Sequence, residues 1–160
     1  MRVLAIDPGY ERLGIAVLEK ALGNKDKLLF SSCLRTSPKE TFEQRLLVLG
    51  KEVERIITEF TPDSLAIENL FLSNNQKTAM RVAEVRGAIL YLAVKNNLKV
   101  IEMTPLQIKL AVTGDGKSSK DQMMKMVNML IETKKEKMLD DEYDAIAAGI
   151  AFFALHNKFK

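Results

Sequence analysis

The sequence predicts an α/β fold, a mixed five-stranded sheet flanked by helices on both faces. Two observations predict it: three strand-like stretches follow one another at the start of the chain, and after them helical and strand-like stretches alternate. Strands joined by short turns pair antiparallel, and strands joined through helices run parallel, so the sheet is mixed. At 160 residues, 47% apolar and 28% charged, the chain is expected to form one domain, residues 1–160, large enough to bury a full core.

Residues 2–7, 13–19 and 27–35 are apolar or β-branched and are separated by the turn-like "PGYER" and "KALGNKD". They read as a meander. From Pro38 to Phe60 the apolar positions Phe42, Leu46, Leu49, Val53, Ile56, Ile57 and Phe60 recur at helical spacing, and Thr61-Pro62 stops the element. A strand "SLAIEN", a helix over 76–95, a strand "LKVIEM" and a short helix from Pro105 follow. The loop "VTGDGKSSK" leads into a helix near "KDQMMKMVNMLI". The chain then ends in "DAIAAGIAFFALHNK", a helix whose small residues should let it lie close against the sheet.

Composition narrows the function classes. The lone cysteine, Cys33, excludes an internal disulfide and a thiolate zinc site. Neither the start "MRVLAIDPG" nor "AIAAGIAFFAL", about half of the roughly 20 residues a membrane span needs, reads as a signal or a span. A soluble, cytoplasmic protein is expected. Twenty-four Lys and Arg against 21 Asp and Glu give +3, which permits a polyanionic partner without demanding one. Basic residues gather in "GKSSK" and "TKKEK", which read equally as solvated surface.

The chemistry lies in the acids. Sites in such sheets form off the carboxyl ends of parallel strands. Asp7 closes the first strand, and Glu68 falls near the end of "SLAIEN". If these strands are parallel neighbours, the two carboxylates converge. Asp141 and Asp144, three apart at the start of the last helix, share one face. Each acid also has a structural reading: a turn at Asp7-Pro8-Gly9, an ion pair at Glu68, and capping of the last helix by Asp140, Asp141, Glu142 or Asp144. Gathered at one end of the protein, the acids would repel one another unless divalent cations neutralised them, and oxygen ligands suit Mg²⁺ or Mn²⁺. Two such ions make a phosphodiester-cleaving site.

"AIDPGYERLGIAV", "AIENLF", "TPLQIKLAVTGDGKSSKDQM" and "DEYDAIAAGIA" together resemble, in order and spacing, the RuvC family of Holliday-junction resolvases within the ribonuclease H-like superfamily. The resemblance covers almost the whole chain. It implies a ribonuclease H-like fold and a catalytic, metal-binding quartet of Asp7, Glu68, Asp141 and Asp144 holding two Mg²⁺ ions, with Asp140 the nearest rival to Asp141. It further implies a homodimer that binds four-way junction DNA and nicks two strands symmetrically, leaving 5′-phosphate and 3′-hydroxyl ends, in recombination and repair. A junction-branch-migration helicase complex is a partner the resemblance leaves open. The family's junction-binding aromatic falls on Phe71, which reads otherwise as a core residue, and Lys109 and Lys120 match basic positions; Lys117 and Arg12 lie in the same loops and would also meet phosphates.

Other readings fit less well. "GDGKSS" has Ala111 where a phosphate-cradling loop requires its first glycine. Met123, Met124, Met126 and Met129 read as core and helix surface, and His156 lies about three turns from the acids. YqgF-like proteins of the same superfamily, which act on ribosomal RNA precursors, and the actin-like ATPases share the opening Asp-x-Gly turn. The former lack the fuller pattern after Glu68, and the latter need two such domains.

Overall fold

The computed structural model describes residues 1–21, 25–69, 76–133, 135 and 137–156, with the backbone alone described at 76 and 77. Among these residues six strands form one sheet: β1 (Arg2–Asp7), β2 (Arg12–Glu19), β3 (Asp26–Arg35), β4 (Ser64–Glu68), β5 (Lys99–Met103) and β6 (Ile131–Glu132). The spatial order is β5-β4-β1-β2-β3-β6. β1, β2 and β3 form the antiparallel meander, while β4 joins β1 and β5 joins β4 in parallel. The expected five strands are therefore corrected to six. The addition is a two-residue strand, parallel to Asp26 and Lys27 of β3, formed where the chain leaves a helix in extended conformation. Two residues are too few to show a period of two.

Five described helices cover the two faces: α1 (Phe42–Phe60), α2 (Gln76–Lys95), α3 (Pro105–Thr113), α4 (Lys120–Leu130) and α5 (Asp140–His156). α1 starts four residues after Pro38 because Thr41 caps it. The Thr41 hydroxyl accepts from the Gln44 amide and the Gln44 side chain accepts from the Thr41 amide, a complete capping box. α3 and α4 start the same way, on Thr104 with Gln107 and on Ser119 with Gln122.

Alternation along the strands divides the core in two. Leu4, Ile6, Leu65 and Ile67 pack with α1 and α2, whereas Val3, Ala5, Ala16, Leu18 and Ala66 pack beneath α5. The second set is small, and α5 meets it with Ala145, Ala148 and Gly149. A Cβ on Gly149 would stand 2.5 Å from Leu18 Cδ1 and 3.4 Å from Ala5 Cβ. The expected close approach of the last helix is thus present. Met123 and Met126 pack against this core, while Met129 is exposed. No described helix is long and apolar enough to cross a membrane.

Candidate active site

β1 and β4 lie side by side with Ile6 opposite Ile67, so Asp7 and Glu68 end adjacent parallel strands at the same edge of the sheet. By alternation both belong to the face that carries α5. The first turn of α5 then brings Asp141 and Asp144 over this edge. Its approach depends on a residue that sequence reasoning missed, Gly14, which pairs with Asp7 across β1 and β2. A Cβ at Gly14 would stand 2.1 Å from the Asp141 carbonyl oxygen and 3.2 Å from Asp7 Cβ. A glycine inside the otherwise apolar "LGIAV" was the available signal, since glycine in a strand interior marks a close backbone approach.

The carboxylates act on one another. Asp7 is pushed up to about 7, first by burial, then by the negative charges of Asp144, Glu68 and Asp141, against the opposing field of Lys120. Burial and Asp144 raise Glu68 while Lys109 opposes them. Asp144 is raised by burial, against Lys120, with Asp141 and Asp140 adding to the rise. Three cations answer the cluster at its rim. Lys120 Nζ lies 3.1 Å from Asp140 and 3.8 Å from Asp144, and Arg12 Nη1 lies 3.8 Å from Asp141. Lys109 and Lys120 line a cleft of about 230 Å³ with Glu68, Asp144, Pro105 and Met123. Lys117 is exposed and does not line that cleft. Phe71 lies outside the described residues.

The rivals at the helix start differ in setting. Asp141 accepts a hydrogen bond from the Cys33 thiol at 3.4 Å and bears on Asp7. Asp140 is largely exposed, pairs with Lys120 at the rim and reaches the cluster through its charge on Asp144, not on Asp7. Glu142 points the other way. It is buried, accepts from the Ser31 hydroxyl at 2.6 Å and the Leu139 amide at 3.1 Å, and pairs with Lys135. The capping reading therefore holds for Glu142. Among the described residues no three acidic, histidine or cysteine side chains close into a metal cage as they stand. The acids are instead crowded and underneutralised, a set of oxygen donors suited to a hard divalent cation.

A mixed sheet with acids at the ends of its central parallel strands and helices on both faces is the ribonuclease H-like class of α/β protein. Within that class, residues 3–152 match the family of the crossover junction endodeoxyribonuclease RuvC, and the chain belongs to this family. It is 43% identical over 149 residues to the RuvC of Thermosipho melanesiensis, covering 93% of this chain and 94% of the relative. With the Petrotoga mobilis RuvC it shares 38% over 160 residues, 100% of this chain and 98% of that one. The structure of Thermus thermophilus RuvC in complex with Holliday junction substrate superposes with a TM-score of 0.92 at 27% identity, covering 99% of this chain and 96% of that chain.

The crowding and the close approach can each be tested. Between about pH 4 and pH 7 the folded chain keeps a proton on Asp7 that the unfolded chain has released, so metal-free stability falls as pH rises through this window, by on the order of 4 kcal/mol. Asp7→Asn removes that penalty: calorimetry in a chelator should find the variant melting above the wild type at pH 8 and level with it at pH 4. Gly14→Ala forces the first turn of α5 outward and should cost about 1–3 kcal/mol in denaturant unfolding.

Proposed function

We propose that this chain, as a single nuclease domain over residues 1–160, is a structure-selective endonuclease that resolves four-way DNA junctions. The observation that carries the reading is Asp7, raised to about 7 by burial and three neighbouring acids, at a strand end flanked by Lys109 and Lys120 in a chain of this family. Asp7, Glu68, Asp141 and Asp144 would hold two Mg²⁺ ions, with Mn²⁺ an adequate substitute. The crowded charge supports this, because cations at the cluster relieve the repulsion that now raises Asp7, Glu68 and Asp144. Asp141 is favoured over Asp140 because it bears directly on Asp7. Bound there, the cations would polarise the scissile phosphate and supply an activated water at neutral pH.

The protein's own groups do the rest. Lys109 and Lys120 sit where they neutralise phosphates beside the cleft, and Lys120 can exchange its exposed contacts with Asp140 and Asp144 for a phosphate at little cost. Arg12 screens Asp141 at the outer rim and, with Lys117 farther out, extends the basic approach. Phe71 is proposed to stack on an unpaired base at the crossover, worth about 1–3 kcal/mol. Hydrolysis with release of the 3′ oxygen leaves 5′-phosphate and 3′-hydroxyl ends. The work belongs to recombination and repair in the cytoplasm, where a branch-migration helicase complex is a natural partner for a junction resolvase.

Symmetric nicking of two strands requires two sites, hence a homodimer. The outer face of α2 supports it. Met80, Tyr91 and Val94 are each about two-thirds exposed on one stripe, with Gly87 between them, where a Cβ would meet nothing within 4 Å. A helix-interior glycine costs about 1 kcal/mol against alanine, and nothing among the described residues of this chain requires it.

The decisive assay compares a mobile four-way junction, linear duplex and structured RNA, with and without Mg²⁺. Only the junction should be cut in paired strands, and only with Mg²⁺; preferential cutting of the RNA would refute the reading. Asp7→Asn should bind the junction while its cutting rate falls by more than about 100-fold, the scale expected when transition-state charge loses its stabiliser. In sedimentation, Tyr91→Glu with Val94→Glu should shift a dimer to monomer, and an unchanged dimer would move the interface elsewhere.

A further inference from the structure

A second feature lies on the opposite side of the sheet edge. The turn after Asp7 carries Tyr10, whose carbonyl accepts from the Thr36 hydroxyl at 2.6 Å and from Arg45 Nη2 at 3.3 Å, while Arg45 Nε donates to Thr36 Oγ1 at 2.8 Å. Arg45 projects from the first turns of α1 and is only 9% exposed. Its guanidinium also lies 4.8 Å from the centre of the Tyr10 ring. Tyr10 meets Phe42 edge to face, with ring centres 6.3 Å apart, and the Arg81 guanidinium covers Phe42 at 4.0 Å. These four side chains border a groove of about 590 Å³ with Thr78, Glu84 and Met80, the last at the edge of the α2 stripe assigned above to the dimer.

Buried arginines are ordinarily paired with an acid. The hydrogen-bond acceptors of Arg45 are neutral, and it forms no ion pair among the described residues. Nor does the sequence between β4 and α2 contain an Asp or Glu. The second cation, Arg81, is held by Glu84 at 3.2 Å with both side chains about half exposed, and Glu43 lies within its field. An exposed pair of this kind contributes little and gives way readily to a stronger anion. A guanidinium on each side and two aromatic rings between them match a phosphate with an adjoining base or sugar.

We propose that this groove is a second DNA-backbone subsite, in which a phosphodiester of the strand leaving the catalytic edge is held by Arg81, with the buried charge of Arg45 attracting the same strand from the far wall. The inference rests on the junction-resolvase reading above. The occupant is assigned as DNA because the groove opens beside the Asp7-Pro8-Gly9-Tyr10 turn, so a strand whose scissile phosphate lies at the carboxylates passes into it across that turn. Arg45 serves in two ways, since its hydrogen bonds fix the turn that aims Asp7 and its remaining charge faces the groove. Phe42 and Tyr10 lie between the two guanidinium groups, each ring in contact with one of them.

The test is a salt titration of junction affinity by fluorescence anisotropy, on intact Arg81→Gln, Arg45→Met and, as a charge-matched control on the outer face of α1, Lys51→Gln. Loss of one phosphate contact lowers the slope of log affinity against log salt by about 0.9. Arg81→Gln should show that drop and about a threefold to tenfold weaker affinity with an unchanged melting temperature, whereas Lys51→Gln should leave the slope as it is. Arg45→Met keeps the side-chain volume, and its melting temperature separates lost binding from a loosened turn. A wild-type slope in Arg81→Gln, or an equal drop in Lys51→Gln, overturns the subsite while leaving the catalytic reading intact. A wild type that neither binds nor cuts junctions overturns both.

Discussion

The acidic edge exists because one helix lies unusually close to the sheet. A helix packed at ordinary distance over β1 and β2 would carry its first turn past the strand ends without bringing its acids against Asp7. Gly14 and Gly149 remove the two side chains that would hold α5 away, and Ala5 and Ala16 continue the shallow surface between them. The site is thus a consequence of packing before it is one of charge. Its carboxylates come from three separate elements, β1, β4 and α5, and the closeness of α5 closes the set.

That closeness has an electrostatic cost the fold carries openly. Burial and mutual repulsion raise Asp7, Glu68 and Asp144, so each gives up its proton less readily than an isolated carboxyl group. Lys109, Lys120 and Arg12 moderate the repulsion from the rim without filling the centre. Arg12 and Lys120 are largely exposed, while Lys109 is half-buried in the wall of the cleft. Strain of this kind is typical of functional sites, where local rules are broken and the rest of the fold holds the arrangement.

Much of this was legible in the chain. β-Branched runs marked the strands to within a residue, and the apolar spacing of α1 marked its length, though Thr41 with Gln44, rather than Pro38, sets where the helix begins. The placement of Asp7 and Glu68 followed from one topological inference, parallel neighbours, and the register bears it out. Less visible were features that depend on distance rather than period. β6 is too short to alternate, Gly14 matters only because of a backbone from 127 residues later, and "GKSSK" could not show that Lys120 lines the cleft while Lys117 does not. Among the acids of "DDEYD", residue type alone could not tell the structural one from those that face the edge.

That last distinction is one of angular phase. Successive residues of a helix are about 100° apart, so Glu142 points toward Ser31 of β3 and Lys135 while Asp141 and Asp144, about 60° apart, share the face turned toward the acidic edge. The buried Glu142 acts as a locating pin: by fastening one azimuth of α5 it sets the heading of the others. Inserting a single residue between Asp141 and Glu142 would leave composition, charge and helix length nearly intact, yet carry Asp141 about 100° around the axis relative to the pin and away from Asp7. The first turn of α5 is therefore intolerant of length change.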